Sequence, residues 1–117
     1  MSATENKAAV IAAIKEALLP LLADIVFAGI FGSYARDEER DDSDVDVLVL
    51  VDAISSIPVR GALYGVEELV GRTVNGSVYD TRTFQELREE VSGFVQSVLT
   101  MPLITLYGDR DVLAGPN

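Results

Sequence analysis

Three features of the sequence predict a small α/β (α+β) domain built on one sheet, with helices mainly on one face. Stretches dense in Ile, Val and Phe alternate with amphipathic stretches at helical spacing, and Gly and Pro mark the joins between them. Neither an internal repeat nor a low-complexity linker interrupts the order α-β-α-β-α-β-α. At 117 residues there is room for one compact unit, so 1–117 is expected to form a single domain.

The elements follow in order. Ser2-x-x-Glu5 has the form of a capping box, and Val10, Ile11, Ile14, Leu18 and Leu21/Leu22 recur at helical spacing behind it. Pro20 is expected to tighten or end that helix. Asp24–Phe31 reads as a buried strand that stops at Gly32-Ser33. A short helical turn from Tyr34 to about Glu39 is expected there, with Ser33 as its cap. The charged run Arg36–Asp42 reads as an exposed connection before Asp44–Val51, the clearest strand of the chain. Val59–Val70 is a helix with Leu63, Val66, Leu69 and Val70 inward and Gly71 as its stop. Arg72–Tyr79 is a third strand with Val74 and Val78 as its apolar positions. Thr83–Leu99 reads as one amphipathic helix carrying Phe84, Leu87, Val91, Val95 and Val98. Pro102–Tyr107 adds a short edge strand before Gly108 and Gly115 loosen the end.

Composition narrows the chemistry. The chain is 49% hydrophobic and 24% charged, as expected of a protein with a packed core. It has no cysteine and no histidine, which removes disulfides, thiolate sites and the commonest neutral-pH base. A catalytic metal would have to be a hard cation on oxygen ligands, Mg2+ or Mn2+. Acids outnumber bases 19 to 9, giving a net charge of −10 that opposes bulk nucleic-acid binding. No apolar run is long enough to span a bilayer, and the N-terminus lacks the pattern of a signal peptide, so a cytoplasmic protein is expected.

Two local patterns carry chemistry. Side chains alternate along a strand, so Asp44 and Asp46 share a face, with Cα atoms about 7 Å apart. Two carboxylates so placed can converge on one cation or bridge a metal pair roughly 3.5–4 Å apart. Without a cation they repel each other. Gly32-Ser33, at the start of a helical turn, offers close backbone approach, free N–H groups and a hydroxyl to a phosphate. Either pattern alone is usually a turn or a solvated strand end. Together, separated by Tyr34 through Ser43, they form a clamp for metal-bound triphosphate.

The stretch Phe31-Gly32-Ser33-Tyr34-Ala35-Arg36 through Asp42-Ser43-Asp44-Val45-Asp46-Val47-Leu48-Val49 resembles the signature of minimal nucleotidyltransferases of the DNA polymerase beta-like superfamily. The resemblance implies a mixed sheet of the small nucleotidyltransferase fold. It also implies transfer of a nucleotidyl group, AMP from ATP or its equivalent from another nucleoside triphosphate, to a hydroxyl. Asp44 and Asp46 would hold Mg2+ or Mn2+, and Gly32 and Ser33 the outgoing phosphates. Arg36 would add a phosphate contact or else pair within its acidic surroundings. The resemblance has two departures. Asp37 stands where a glycine usually follows the arginine. In Gly71-Arg72-Thr73-Val74-Asn75, Asn75 stands at the position of the third family carboxylate. Asparagine keeps an acceptor oxygen but loses charge and basicity, and Asp80 has the wrong strand parity to replace it.

Small stand-alone members of this family resemble antitoxins paired with a helical HEPN-type ribonuclease toxin, which implies a partner protein. Two functions therefore compete: a transferase, favoured by Gly32-Ser33 and Asp44-x-Asp46, and a catalytically degenerate module that binds nucleotide or docks on a partner, favoured by Asn75. The apolar faces of Val59–Val70 and Thr83–Leu99 suit a core or a homo-oligomer contact, and are read here as core.

Overall fold

The computed structural model describes residues 3–40, 42–52, 56–89 and 93–114, with side chains from Lys7 onward except those of Phe94 and Val95. Ser2 of the expected capping box, Val91 and Gly115 lie outside the described residues, as does the side chain of Val95.

Helix α1 (Ala3–Leu18) buries Val10, Ile14 and Leu18, a spacing that repeats every fourth residue and keeps one stripe inward. It passes into a 3₁₀ segment, Leu19–Asp24, with Pro20 in the first turn, where a missing N–H costs nothing. Strand β1 (Ile25–Phe31) runs antiparallel to β2 (Val45–Val51). Helix α2 (Ser56–Val70) then crosses over to β3 (Val74–Asp80), which lies parallel to β2. A parallel neighbour needs such a crossover, because a tight hairpin reverses direction. β4 (Ile104–Tyr107) pairs antiparallel with the other side of β1, giving a mixed sheet in the order β3-β2-β1-β4.

Strand alternation divides the core. Ala28 and Ile30 of β1, Val45, Val47, Val49 and Val51 of β2, and Val74 and Val78 of β3 face the two longest helices, α1 and α2. Phe27, Leu48 and Leu50 face the other way, against two shorter helices, α3 (Thr81–Glu89) and α4 (Gly93–Thr100). Phe84 and Val98 fill that second layer, so helices cover both faces of the sheet and not mainly one, as was expected.

Several expectations change at element ends. Thr83–Leu99 was expected as one helix; helical residues instead occupy Thr81–Glu89 and Gly93–Thr100, and the interval between them is outside the described residues. Leu69, expected inward, is 76% exposed, because α2 turns Val59, Leu63 and Val66 toward the sheet and carries Leu69 beyond that stripe. The end of the chain was expected to loosen after Gly108. It forms a 3₁₀ segment, Arg110–Ala114, that buries Leu113 against Phe27 and its neighbours. Gly71 ends α2 as expected, in the left-handed conformation at φ +70°.

Candidate nucleotide and metal site

The site is built where β1 ends and β2 begins. In the sheet register Phe31 lies opposite Asp46, and Asp46 lies opposite Asn75, so three adjacent strands place these residues in one row. Asp46 has the parity of Leu48 and Leu50 and so projects to the α3/α4 side. Asp44 precedes the strand, anchored by the bond from Val45 N–H to the Thr73 carbonyl at 2.9 Å. Asn75 closes the row: its Nδ2 donates to Asp46 Oδ1 at 3.2 Å and to Asp44 Oδ2 at 3.4 Å. Asp44 and Asn75 are exposed and Asp46 is half-buried, so all three are open to a ligand.

Gly32 begins a 3₁₀ turn, Gly32–Tyr34, whose carbonyl accepts from the N–H groups of Ala35 and Arg36 at 3.1 and 3.2 Å. The turn thus starts earlier than expected, and Ser33 lies within it, not before it as a cap. Gly32 has φ +72°, and a Cβ there would sit 2.3 Å from Asp46 Oδ2. Glycine is needed for two reasons: the left-handed backbone, and the carboxylate packed against its Cα. The second reason depends on the pairing of β1 with β2, which local sequence does not display.

Arg36 pairs with Glu38 through Nε at 3.1 Å, both side chains being exposed, and Arg36 also lines the site. An exposed pair of this kind contributes about 0.2–1 kcal/mol and leaves the guanidinium within reach of an anion. Asp37 adopts φ +57°, so the usual glycine at this position matches the backbone found here; aspartate is among the few side chains that tolerate it. Lys7 of α1 forms ion pairs with both Asp37 and Glu39. Desolvation works to lower the Lys7 pKa, but hydrogen bonds to the two acids outweigh it and leave it raised. The acidic connection is thereby tied to α1.

Gly32, Ser33, Arg36, Asp44, Asp46 and Asn75 all line one open depression of about 430 Å3, together with Phe31, Ser43 and Met101. Every site residue expected from the sequence is in it. Met101 was not anticipated. It follows α4, held by the bond from its N–H to the Ser97 carbonyl and by Arg110, which donates to the Met101 carbonyl. No spacing in the sequence links residue 101 to residue 44; only the second core layer brings them together. Asp80 is excluded from the site. It lies opposite Val51 at the far end of β3, and its carboxylate accepts from the Thr83 N–H at 2.7 Å and hydroxyl at 3.1 Å. Those bonds, the backbone one foremost, hold the Asp80 carboxyl below its ordinary range.

A mixed four-stranded sheet with a glycine turn on one strand and paired aspartates on the next defines a nucleotidyltransferase-like class of protein. Residues 11–102 match the nucleotidyltransferase domain family, so the chain belongs to that family. It is 35% identical over 71 residues to a Methanocaldococcus jannaschii protein named as a proposed protein adenylyltransferase, the match covering 58% of this chain and 76% of that one. Two solved structures share the fold. One is a toxin–antitoxin complex with AMP-PNP, matched with a TM-score of 0.64 at 20% identity, over 89% of this chain and 80% of that one. The other is a complex of an MNT antitoxin with the tri-AMPylated HEPN toxin of Shewanella oneidensis, with a TM-score of 0.59 at 19% identity, over 90% and 75% of the two chains.

Proposed function

We propose that this chain, as a single domain, is a metal-dependent nucleotidyltransferase that moves AMP from ATP to a hydroxyl on a partner protein. The observation that carries the reading is the contact of Gly32 with Asp46: the phosphate-type turn and the carboxylate pair are packed into one site. The donor set fits a hard divalent cation. Asp44 and Asp46 are the residues that would hold it, and the Ser33 hydroxyl adds a neutral oxygen nearby. When bound, such an ion neutralises charge developing on the phosphates.

The residues of the chain supply the remaining functions. The first N–H groups of a helical turn have no acceptor within it, and those of the Gly32–Tyr34 turn would serve the phosphates. The Ser33 hydroxyl donates to a terminal phosphate oxygen, and Arg36 reaches the same depression from its exposed pair with Glu38. In the transfer an acceptor oxygen bonds to the α-phosphorus, the bond to the bridging oxygen breaks, and pyrophosphate leaves. The acceptor hydroxyl gives up its proton in the process.

A relative named as a proposed protein adenylyltransferase, and a neighbouring fold seen beside an AMPylated HEPN toxin, support a protein acceptor, with a HEPN-type toxin as the first to test. Among the described residues no helix is long and apolar enough to cross a membrane, which accords with a cytoplasmic pairing of this kind. Asn75 favours a second reading, in which nucleotide binds and the domain docks on its partner without transfer. ATP labelled at the α-phosphate separates the two. Label appearing on a HEPN-type partner from the α but not the γ position is the expected result; metal-dependent nucleotide binding with no label transferred would favour the docking module.

A further inference from the structure

The side chain that reaches both aspartates is an amide. Asn75 Nδ2 donates to Asp46 Oδ1 and to Asp44 Oδ2, and its place beside them is fixed because Asn75 is the register partner of Asp46. An amide –NH2 has two donor protons and no lone pair to offer a cation. Its contacts therefore occupy carboxylate lone pairs on the β3 side, the side a second cation would need. Charge leads to the same conclusion. Two divalent ions roughly 3.5–4 Å apart bring four positive charges, to be balanced by the triphosphate together with the carboxylates of the chain. Asp44 and Asp46 supply two negative charges, and among the described residues no group of three or more acids is placed to hold a metal ion. Asp80, the next acid along β3, is at the other end of the strand and bonded to Thr83.

From this juxtaposition we infer that Asn75 makes this a one-cation site. Asp44 and Asp46 hold a single divalent ion accompanying the triphosphate, and the Asn75 amide takes the position a second ion would fill. The inference rests on the metal-and-triphosphate reading above and sharpens it. It has a chemical consequence: Asp44 and Asp46 are taken up by the single cation and Asn75 is not a carboxylate, so the proton of the acceptor hydroxyl leaves to solvent or to a base on the acceptor protein.

The test counts ions without relying on turnover. Mn2+ is titrated into the chain at saturating non-hydrolysable ATP analogue. Bound ion and bound nucleotide are both read by equilibrium dialysis, as the excess of Mn2+ and of analogue on the protein side over the protein-free side, so that Mn2+ chelated by free nucleotide cancels. The wild-type chain is expected to bind one Mn2+ with its nucleotide, and Asn75→Asp two. Two ions in the wild type, or one in a folded Asn75→Asp, would overturn the inference while leaving the triphosphate site standing. Neither ion nor nucleotide in the wild type would overturn the reading beneath it. Thermal melting by circular dichroism establishes whether Asn75→Asp is folded, and the wild-type count stands without that variant.

Discussion

At the scale of single residues, the site is most constrained at Gly32, where backbone conformation and a neighbouring carboxylate make the same demand. Gly32→Ala must place a Cβ at φ +72° and 2.3 Å from Asp46 Oδ2. The left-handed backbone alone costs about 1–2 kcal/mol, and relief of the clash displaces Asp46. The expected outcome is a lower denaturant midpoint together with loss of metal-dependent nucleotide binding; unchanged binding would separate Gly32 from the site. The nearness of Asp44 and Asp46 was legible in the sequence from their spacing, although the strand begins at Val45 and so parity fixes only Asp46. The contact of Gly32 with Asp46, the Asn75 bridge and the approach of Met101 were not, since each arises from pairing between segments distant in the chain. Lys7 was equally hidden: nothing in its local pattern points to Asp37 and Glu39.

Among the elements, strands and the longer helices were read well because each carries its own period. β2 is legible from its continuous run of Val and Leu and α2 from i, i+3/i+4 spacing alone, whereas element ends depend on contacts. The 3₁₀ segment Arg110–Ala114 escaped reading because five residues carry too little periodicity to announce it. Its role is testable. Leu113 is 1% exposed in the second core layer, so Leu113→Ala should cost about 2–5 kcal/mol by chemical denaturation, where a loose tail would cost almost nothing. α3 is capped by Asp80, whose carboxyl is held below its ordinary range mainly by the Thr83 N–H. A depressed folded-state pKa stabilises above the unfolded value, near 4, and that contribution is lost as pH falls through the lower folded value. Asp80→Ala should therefore lower the melting midpoint at neutral pH and lessen its decline below about pH 4. An equally steep acid decline in the variant would assign it to other carboxylates.

For the whole molecule, a net charge of −10 on a small fold makes self-repulsion a general cost. Added monovalent salt should raise the melting midpoint by screening. Mg2+ should raise it further at equal ionic strength, and the additional rise should vanish when Asp44 and Asp46 are both changed to Asn. That variant should also be the more stable without metal, since it relieves two like charges held on one face. At alkaline pH a different group matters. Tyr34, the buried last residue of the site turn, has its hydroxyl pushed above the ordinary tyrosine range by desolvation. A raised folded-state pKa stabilises fully below the unfolded value, about 10, and its contribution is lost as pH climbs through the higher folded value. Tyr34→Phe should accordingly show a shallower loss of melting midpoint above about pH 10.

The most direct measurement is calorimetric titration of ATP into the chain with and without Mg2+, beside the Asp44→Asn/Asp46→Asn variant. Binding that requires Mg2+ and disappears in the variant is the predicted result. Retention of Mg2+-dependent binding in the variant, or no binding by the wild type under any condition, would contradict the assignment of the triphosphate site.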